Sequence, residues 1–119
     1  MKTFEDLEVW QLAKSITLNI YSIENTNYSI DFGFKDQIQR AAISVMNNIA
    51  EGFERGSKKD FIKFLYYSKG SVGGLRSLLR IAVELKYLEQ AKYEILVNNA
   101  IKLSKQLSSF IKHLSLKLK

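Results

Sequence analysis

Acid–base chemistry at neutral pH needs a histidine or a carboxylate tuned by its surroundings. This chain of 119 residues offers one histidine, His113, and one acid pair on a helical pattern, Glu51 and Glu54. Neither makes a catalytic centre. His113 stands among Lys112, Lys117 and Lys119, the composition of an exposed helix end, and a lone histidine excludes a multi-histidine metal site within one chain. Glu51 and Glu54 are three residues apart and precede Arg55, which is ordinary electrostatics for a helix surface or an interface. Cysteine is absent, so thiol nucleophiles, thiolate metal sites and disulfides are excluded, as befits a reducing compartment. The run GSVGG, Gly70 to Gly74, continues a helical pattern and lacks the strand and lysine of a nucleotide-binding loop. The expectation is a protein that is not an enzyme, with no metal and no cofactor.

The cations are better placed. Eighteen Lys and Arg against twelve Asp and Glu give a formal charge of +6, and polyanions are the natural partners of such a surface. Lys58, Lys59 and Lys63 crowd one stretch, Lys69 follows, and Arg76 and Arg80 are four residues apart. Tyr66 and Tyr67 lie between them, so cations alternate with rings able to stack on bases. The plainer reading is that the tyrosines are core or interface residues and the lysines merely solvated. These six cations are the expected nucleic-acid contacts. Lys92, Lys102, Lys105, Lys112, Lys117 and Lys119 add charge to the following segment, which a ring of copies would concentrate.

A second ordered feature runs from Gln37 to Arg55. Ile38, Ala41, Ala42, Val45, Ile49 and Phe53 recur at spacings of three and four, as on a helix facing a core. Gln37, Arg40, Ser44, Asn48, Glu51 and Arg55 recur at the same spacings as a polar stripe. That stripe is readable as a solvated network, as a subunit interface, or as a phosphate contact. Glu51 in its middle would repel phosphate, so the stripe is expected to serve self-association or an internal network.

The elements that position these residues are helices. Proline is absent, which suits long uninterrupted helices. A first helix is expected from about Phe4 to Glu24, capped by Thr3, with Val9, Trp10, Ala13, Ile16, Thr17, Ile20 and Ile23 facing inward. Asn25 to Gly33 reads as a connection, and a second helix takes Phe34 to about Arg55. Ser57 and Asp60 resemble a capping box that starts a third helix, ending near Lys86. Its core stripe is Phe61, Leu65, Ser68, Val72, Leu75, Leu79 and Ala82, widened by Phe64, Leu78 and Leu85. After a turn at Tyr87 to Glu89, a fourth helix carries Tyr93, Leu96, Ala100, Leu103, Leu107, Phe110 and Leu114. Gly70, Gly73 and Gly74 lie along one side of the third helix, where close helix packing is the expected reason for them. Four such stripes are satisfied by an all-α, antiparallel up-down-up-down four-helix bundle, one domain spanning residues 1–119. No apolar run approaches the roughly 20 residues of a membrane span, and MKTFEDLEVW is no signal peptide, so a cytoplasmic location is expected.

These motifs resemble a known family. Phe4, Asp6, Leu7, Val9, Trp10, Gln11 and Ala13, then Gln37 to Val45, Asn48 to Gly52, and the Arg55, Ser57, Phe61 and Leu65 pattern followed by Gly70 and Ser71, are similar to the bacterial four-helix-bundle proteins encoded in 23S rRNA intervening sequences. The resemblance covers nearly the whole chain. It extends to the accessory variability proteins of diversity-generating retroelements, and so implies a basic homopentamer that binds RNA or DNA and can bind a reverse transcriptase. Two positions depart from the pattern: relatives commonly carry an acid where this chain has Gly74, and often proline near Met46.

Overall fold

The computed structural model describes residues 2–118; Met1 and Lys119, the last of the expected surface lysines, lie outside them. Five α-helices follow a 3-10 turn at Phe4–Asp6: α1 (Glu8–Tyr21), α2 (Thr26–Ile30), α3 (Phe32–Glu54), α4 (Lys58–Glu84) and α5 (Gln90–Leu116). The four long ones pack in the cyclic order α1, α3, α4, α5, each against two neighbours, in a bundle 50 × 21 × 20 Å. No strand occurs among the described residues. The all-α four-helix bundle expected from the hydrophobic stripes is the fold.

Local chemistry explains where the helices begin and end. Ser57 Oγ accepts the Asp60 N–H at 3.1 Å and starts α4, while Gly56 takes the left-handed φ of 83° that lets the chain turn within three residues, Arg55 to Ser57. At the other end of α4 the Lys86 N–H reaches the Val83 carbonyl at 3.1 Å and the Tyr87 N–H the Ala82 carbonyl at 2.9 Å. This is a Schellman closure, with lysine at φ 62° where glycine is usual. Asn25 Nδ2 donates to the Lys86 carbonyl at 3.2 Å, and Tyr87 donates its hydroxyl to Asp31 at 2.7 Å, so α2 and its flanks are tied to that turn.

Several boundaries move. Thr3 precedes the 3-10 turn rather than the first α-helix, which begins after Leu7. The segment expected as a plain connection holds α2, because Asn25 Oδ1 accepts the Tyr28 N–H at 2.9 Å and buries Tyr28 beneath Phe34 and Tyr87. Asp31 then caps α3 two residues earlier than expected. Leu85, placed in the core stripe by spacing, is 50 % exposed, since α4 has already ended at Glu84.

The core is built from the stripes. Ile16, Ile20, Ile38, Ile49, Leu65, Leu75, Leu79, Leu96, Leu103 and Leu107 are almost fully buried. Midway along, Ala13, Ala42, Val45, Val72 and Ala100 line one layer, and their small side chains let four helices approach closely. Two buried hydroxyls are satisfied there: Ser68 donates to the Val45 carbonyl at 2.8 Å, and Thr17 to the Ala13 carbonyl at 2.8 Å.

The glycines behave otherwise than expected. A β-carbon on Gly70, Gly73 or Gly74 would meet nothing within 4 Å, so no helix of this protomer packs against them. The glycine that close packing requires is Gly52, buried on α3 against Phe61 and Phe64.

Candidate nucleic-acid interface

All six expected contact cations lie on α4, and helical geometry sorts them. At about 100° per residue, Lys58, Lys69, Arg76 and Arg80 share the flank turned toward α5. Lys69 there joins Ser108, Ile111 and Lys112 of α5 in one groove. Lys59 falls between that flank and the outer side, and Lys63 points away from it: the Lys63 ammonium lies 5.9 Å from the rings of both Phe64 and Tyr67, on the outer side toward α3. Arg80 already holds a counter-ion, its Nε 2.7 Å from Glu84 Oε2. The Glu84 carboxylate, and after it the Tyr93 hydroxyl, keep its pKa above the usual arginine range. The other five have no ion-pair partner among the described residues. Tyr66 and Tyr67 are 57 % and 50 % exposed, so they are surface rings and not core.

The strongest electrostatic signal is where acids are missing. No Asp or Glu lies between residues 61 and 83, and none follows Glu94. Within those two stretches stand Lys63, Lys69, Arg76, Arg80, Lys102, Lys105, Lys112 and Lys117. Because α4 and α5 are neighbours, the two acid-free stretches meet along one groove, where Lys69 and Lys112 stand without a carboxylate between them, whereas Lys102 and Lys105 face the other side of α5. A count of cations alone misses this; the positions of the acids would have revealed it.

Two grooves flank α5. The one toward α1, about 810 Å³, sets Asp6 and Glu8 opposite Lys102 and Lys105 over Val9, Ile101 and Phe110. Its mixed charge does not suit a polyanion. The one toward α4, about 330 Å³, is lined by Tyr66, Lys69, Ser108, Ile111, Lys112 and Ser115 and contains no carboxylate. Lys112, Ser108 and Ser115 were not among the expected contacts, because only packing brings α5 beside Tyr66 and Lys69.

The polar stripe of α3 divides into two kinds of residue. Ser44 and Asn48 at its centre are half-buried and belong to the α3–α4 contact: Asn48 Nδ2 donates to the Ser44 carbonyl at 2.8 Å, and Ser44 Oγ meets Ser71 Oγ at 3.0 Å. Gln37, Arg40, Glu51 and Arg55 are exposed. Arg40 pairs with Asp36 at 2.8 Å and Arg55 with Glu51 at 3.1 Å, each within its own helix, and the Arg55 guanidinium lies 4.9 Å from the centre of the Phe64 ring. Among the described residues no cluster of three or more His, Cys, Asp or Glu is placed to hold a metal, and no helix is long and apolar enough to cross a membrane.

Comparison with known proteins places this arrangement. The family model described as 23S rRNA-intervening sequence protein matches residues 5–109. The chain belongs to that family. The resemblance read from the Phe4 to Ala13, Gln37 to Val45 and Asn48 to Gly52 motifs is thereby established, since all three lie wholly or almost wholly within the match. A solved structure from Bacteroides thetaiotaomicron, described as a protein of unknown function from the S23 ribosomal protein family, superposes with a TM-score of 0.79 at 24 % identity, covering 87 % of this chain and 98 % of that one. At that identity the superposition speaks for the bundle shared with the family. No curated protein matches the chain.

Proposed function

We propose that this family member is a nonenzymatic, oligomeric bundle that binds RNA, or nucleic acid more generally, through the cationic face of α4 and α5. The observation that carries the reading is the acid-free pair of stretches, 61–83 and 95–118, brought side by side by packing. Such a face attracts phosphate through counter-ion release, so binding is driven by charge and shape and falls steeply with salt. Its family, named for rRNA intervening sequences, is consistent with an RNA partner.

Self-association is assigned to the outer side of α3, where Gln37, Arg40, Glu51 and Arg55 are exposed in register and Ser44 and Asn48 hold α3 to α4. A ring of copies, five by resemblance to retroelement accessory proteins, would gather +6 per protomer into one strongly positive assembly in the cytoplasm.

The test is retention of RNA on the purified protein at rising salt. Log affinity should fall linearly with log salt, and replacing Lys58, Lys69, Arg76 and Lys112 together with alanine should abolish retention while the helical circular dichroism stays unchanged. Salt-independent retention refutes the electrostatic reading. Light scattering after size exclusion checks assembly, and a monomer rejects the ring.

A second reading is docking of a protein partner such as a reverse transcriptase on α4. It is favoured by the half-exposed Tyr67, Ile81 and Leu85 beside the uncovered Gly70, Gly73 and Gly74. Capture of a reverse transcriptase that survives high salt, with no RNA retained, would select it.

A further inference from the structure

We propose that the groove between α4 and α5 is a channel for single-stranded nucleic acid, in which Tyr66 stacks on a base and Lys69 and Lys112 take the phosphates on either side of it. The proposal rests on the nucleic-acid reading above and gives it a location and a strand type.

Three observations carry it. The groove unites a stacking surface and cations from two helices: Tyr66 at its mouth is 57 % exposed, Lys69 is three residues along the same helix, and Lys112 comes from α5. Neither lysine has an ion-pair partner among the described residues, and no carboxylate lines the groove, so both charges are free for a ligand. The hydroxyls of Ser108 and Ser115 make no side-chain hydrogen bond among the described residues and stand along the α5 wall as donors for phosphate or base edges.

Size and chemistry select the single strand. The groove holds about 330 Å³, space for part of one strand and not for a duplex. In a duplex the base faces are stacked on one another and are closed to Tyr66. A splayed single strand presents them, and an aromatic ring between cations is the recurring means of holding it. Lys69, Arg76 and Arg80 continue the same flank for 11 residues, about 16 Å along the helix, which extends the track beyond the groove. Glu84, paired with Arg80, closes that end with negative charge.

An acidic peptide would meet the lysines equally well and gain nothing from Tyr66. That difference decides the experiment. The full-length protein is titrated into fluorescein-labelled oligo(U), oligo(dT) and a duplex of equal length, with fluorescence anisotropy read at several salt concentrations. The single strands should bind at least 10-fold more tightly than the duplex. Tyr66→Ala should weaken single-strand binding by about 5- to 150-fold, the range for loss of one stacked base, and Tyr66→Phe should restore it. Lys69→Ala with Lys112→Ala should reduce the slope of log affinity against log salt by about 1.4, two phosphates at ~0.7 each. Equal binding of oligo(U) and oligo(dT) supports the proposal, because base stacking and phosphate contact need no 2′-hydroxyl. Duplex binding as tight as single-strand binding overturns it, as does Tyr66→Ala without effect, or displacement of oligo(U) by polyglutamate at equal charge concentration. In those three cases the wild type still binds nucleic acid and the broader reading stands. Failure of the wild type to bind any of the three probes removes both.

Discussion

Gly52 of α3 lies so close to Phe64 of α4 that a β-carbon on Gly52 would stand 2.6 Å from the Phe64 β-carbon. Phe61 adds a tight contact from its ring at 3.1 Å and an ordinary one from its carbonyl at 3.4 Å. The atom in the way, Phe64 Cβ, is the root of a side chain and moves only with the α4 backbone, so relief requires the two helices to part. Gly52→Ala should therefore destabilise the fold by about 1–3 kcal/mol, even though alanine is the better helix former. Urea denaturation at unchanged m-value measures it; a neutral or stabilising outcome would show that α3 and α4 are not held at this separation.

The three glycines of α4 predict the opposite sign. Gly70, Gly73 and Gly74 sit in helical backbone with open space where a methyl would go. Each Gly→Ala should stabilise the isolated protomer by roughly 0.5–1 kcal/mol, because glycine gives up more backbone freedom on entering a helix. Thermal unfolding of the three single variants tests this. A destabilised variant would reveal a contact made by another molecule against bare backbone.

Lys86 holds the left-handed position of a Schellman closure at φ 62°, a conformation in which a side chain costs about 1 kcal/mol relative to glycine. Lys86→Gly should raise stability by several tenths of a kcal/mol up to that value, since glycine also loses more entropy on folding. The Tyr87-to-Ala82 and Lys86-to-Val83 backbone bonds remain available to the variant. A drop in melting temperature would mean that the lysine side chain, not the turn, holds this end.

Alkaline pH should loosen the end of the bundle that carries α2. The Tyr87 hydroxyl donates to Asp31 at 2.7 Å, and that hydrogen bond, then burial, raises its pKa above the ordinary value near 10. Burial likewise raises the pKa of Tyr28, whose hydroxyl has no hydrogen-bond partner among the described residues. A raised tyrosine pKa means that the folded state holds the proton more tightly than the unfolded state does. The associated stability is therefore fully present below pH 10 and is lost as pH rises through the raised values. Hydrogen exchange in residues 26–34 should accelerate before the α4–α5 half responds, and Tyr87→Phe should shift that onset upward while loosening the end at neutral pH. Simultaneous loss of all helices would contradict a local effect.

The sequence carried the bundle almost entirely. Apolar residues at spacings of three and four are a local record of which side of a helix is dry, so the inward positions from Val9 to Ile20, Ile38 to Ile49, Leu65 to Ala82 and Leu96 to Leu114 are buried or, at Trp10, Ala41, Leu78 and Phe110, half-buried against the core. The errors occur where backbone geometry overrides periodicity. Leu85 has the right spacing but follows the last helical residue, and the Asn25 and Asp31 caps generate a short helix inside a stretch that looks like a plain connection. The family motifs were legible too, being fixed in residue type and order.

What the chain alone determined is the class of fold, the family, and an excess of positive charge. What tertiary structure decided is which small residue matters and which charges meet. Gly52 and the α4 glycines are indistinguishable by type, and only the separation between α3 and α4 shows that one is crowded and the others bare. Tyr66 and Lys112 are 46 positions apart, and only the antiparallel pairing of α4 with α5 puts them in one groove. The physical reason is common to both: periodicity records how each helix meets water, while contact between helices depends on their mutual distance and register.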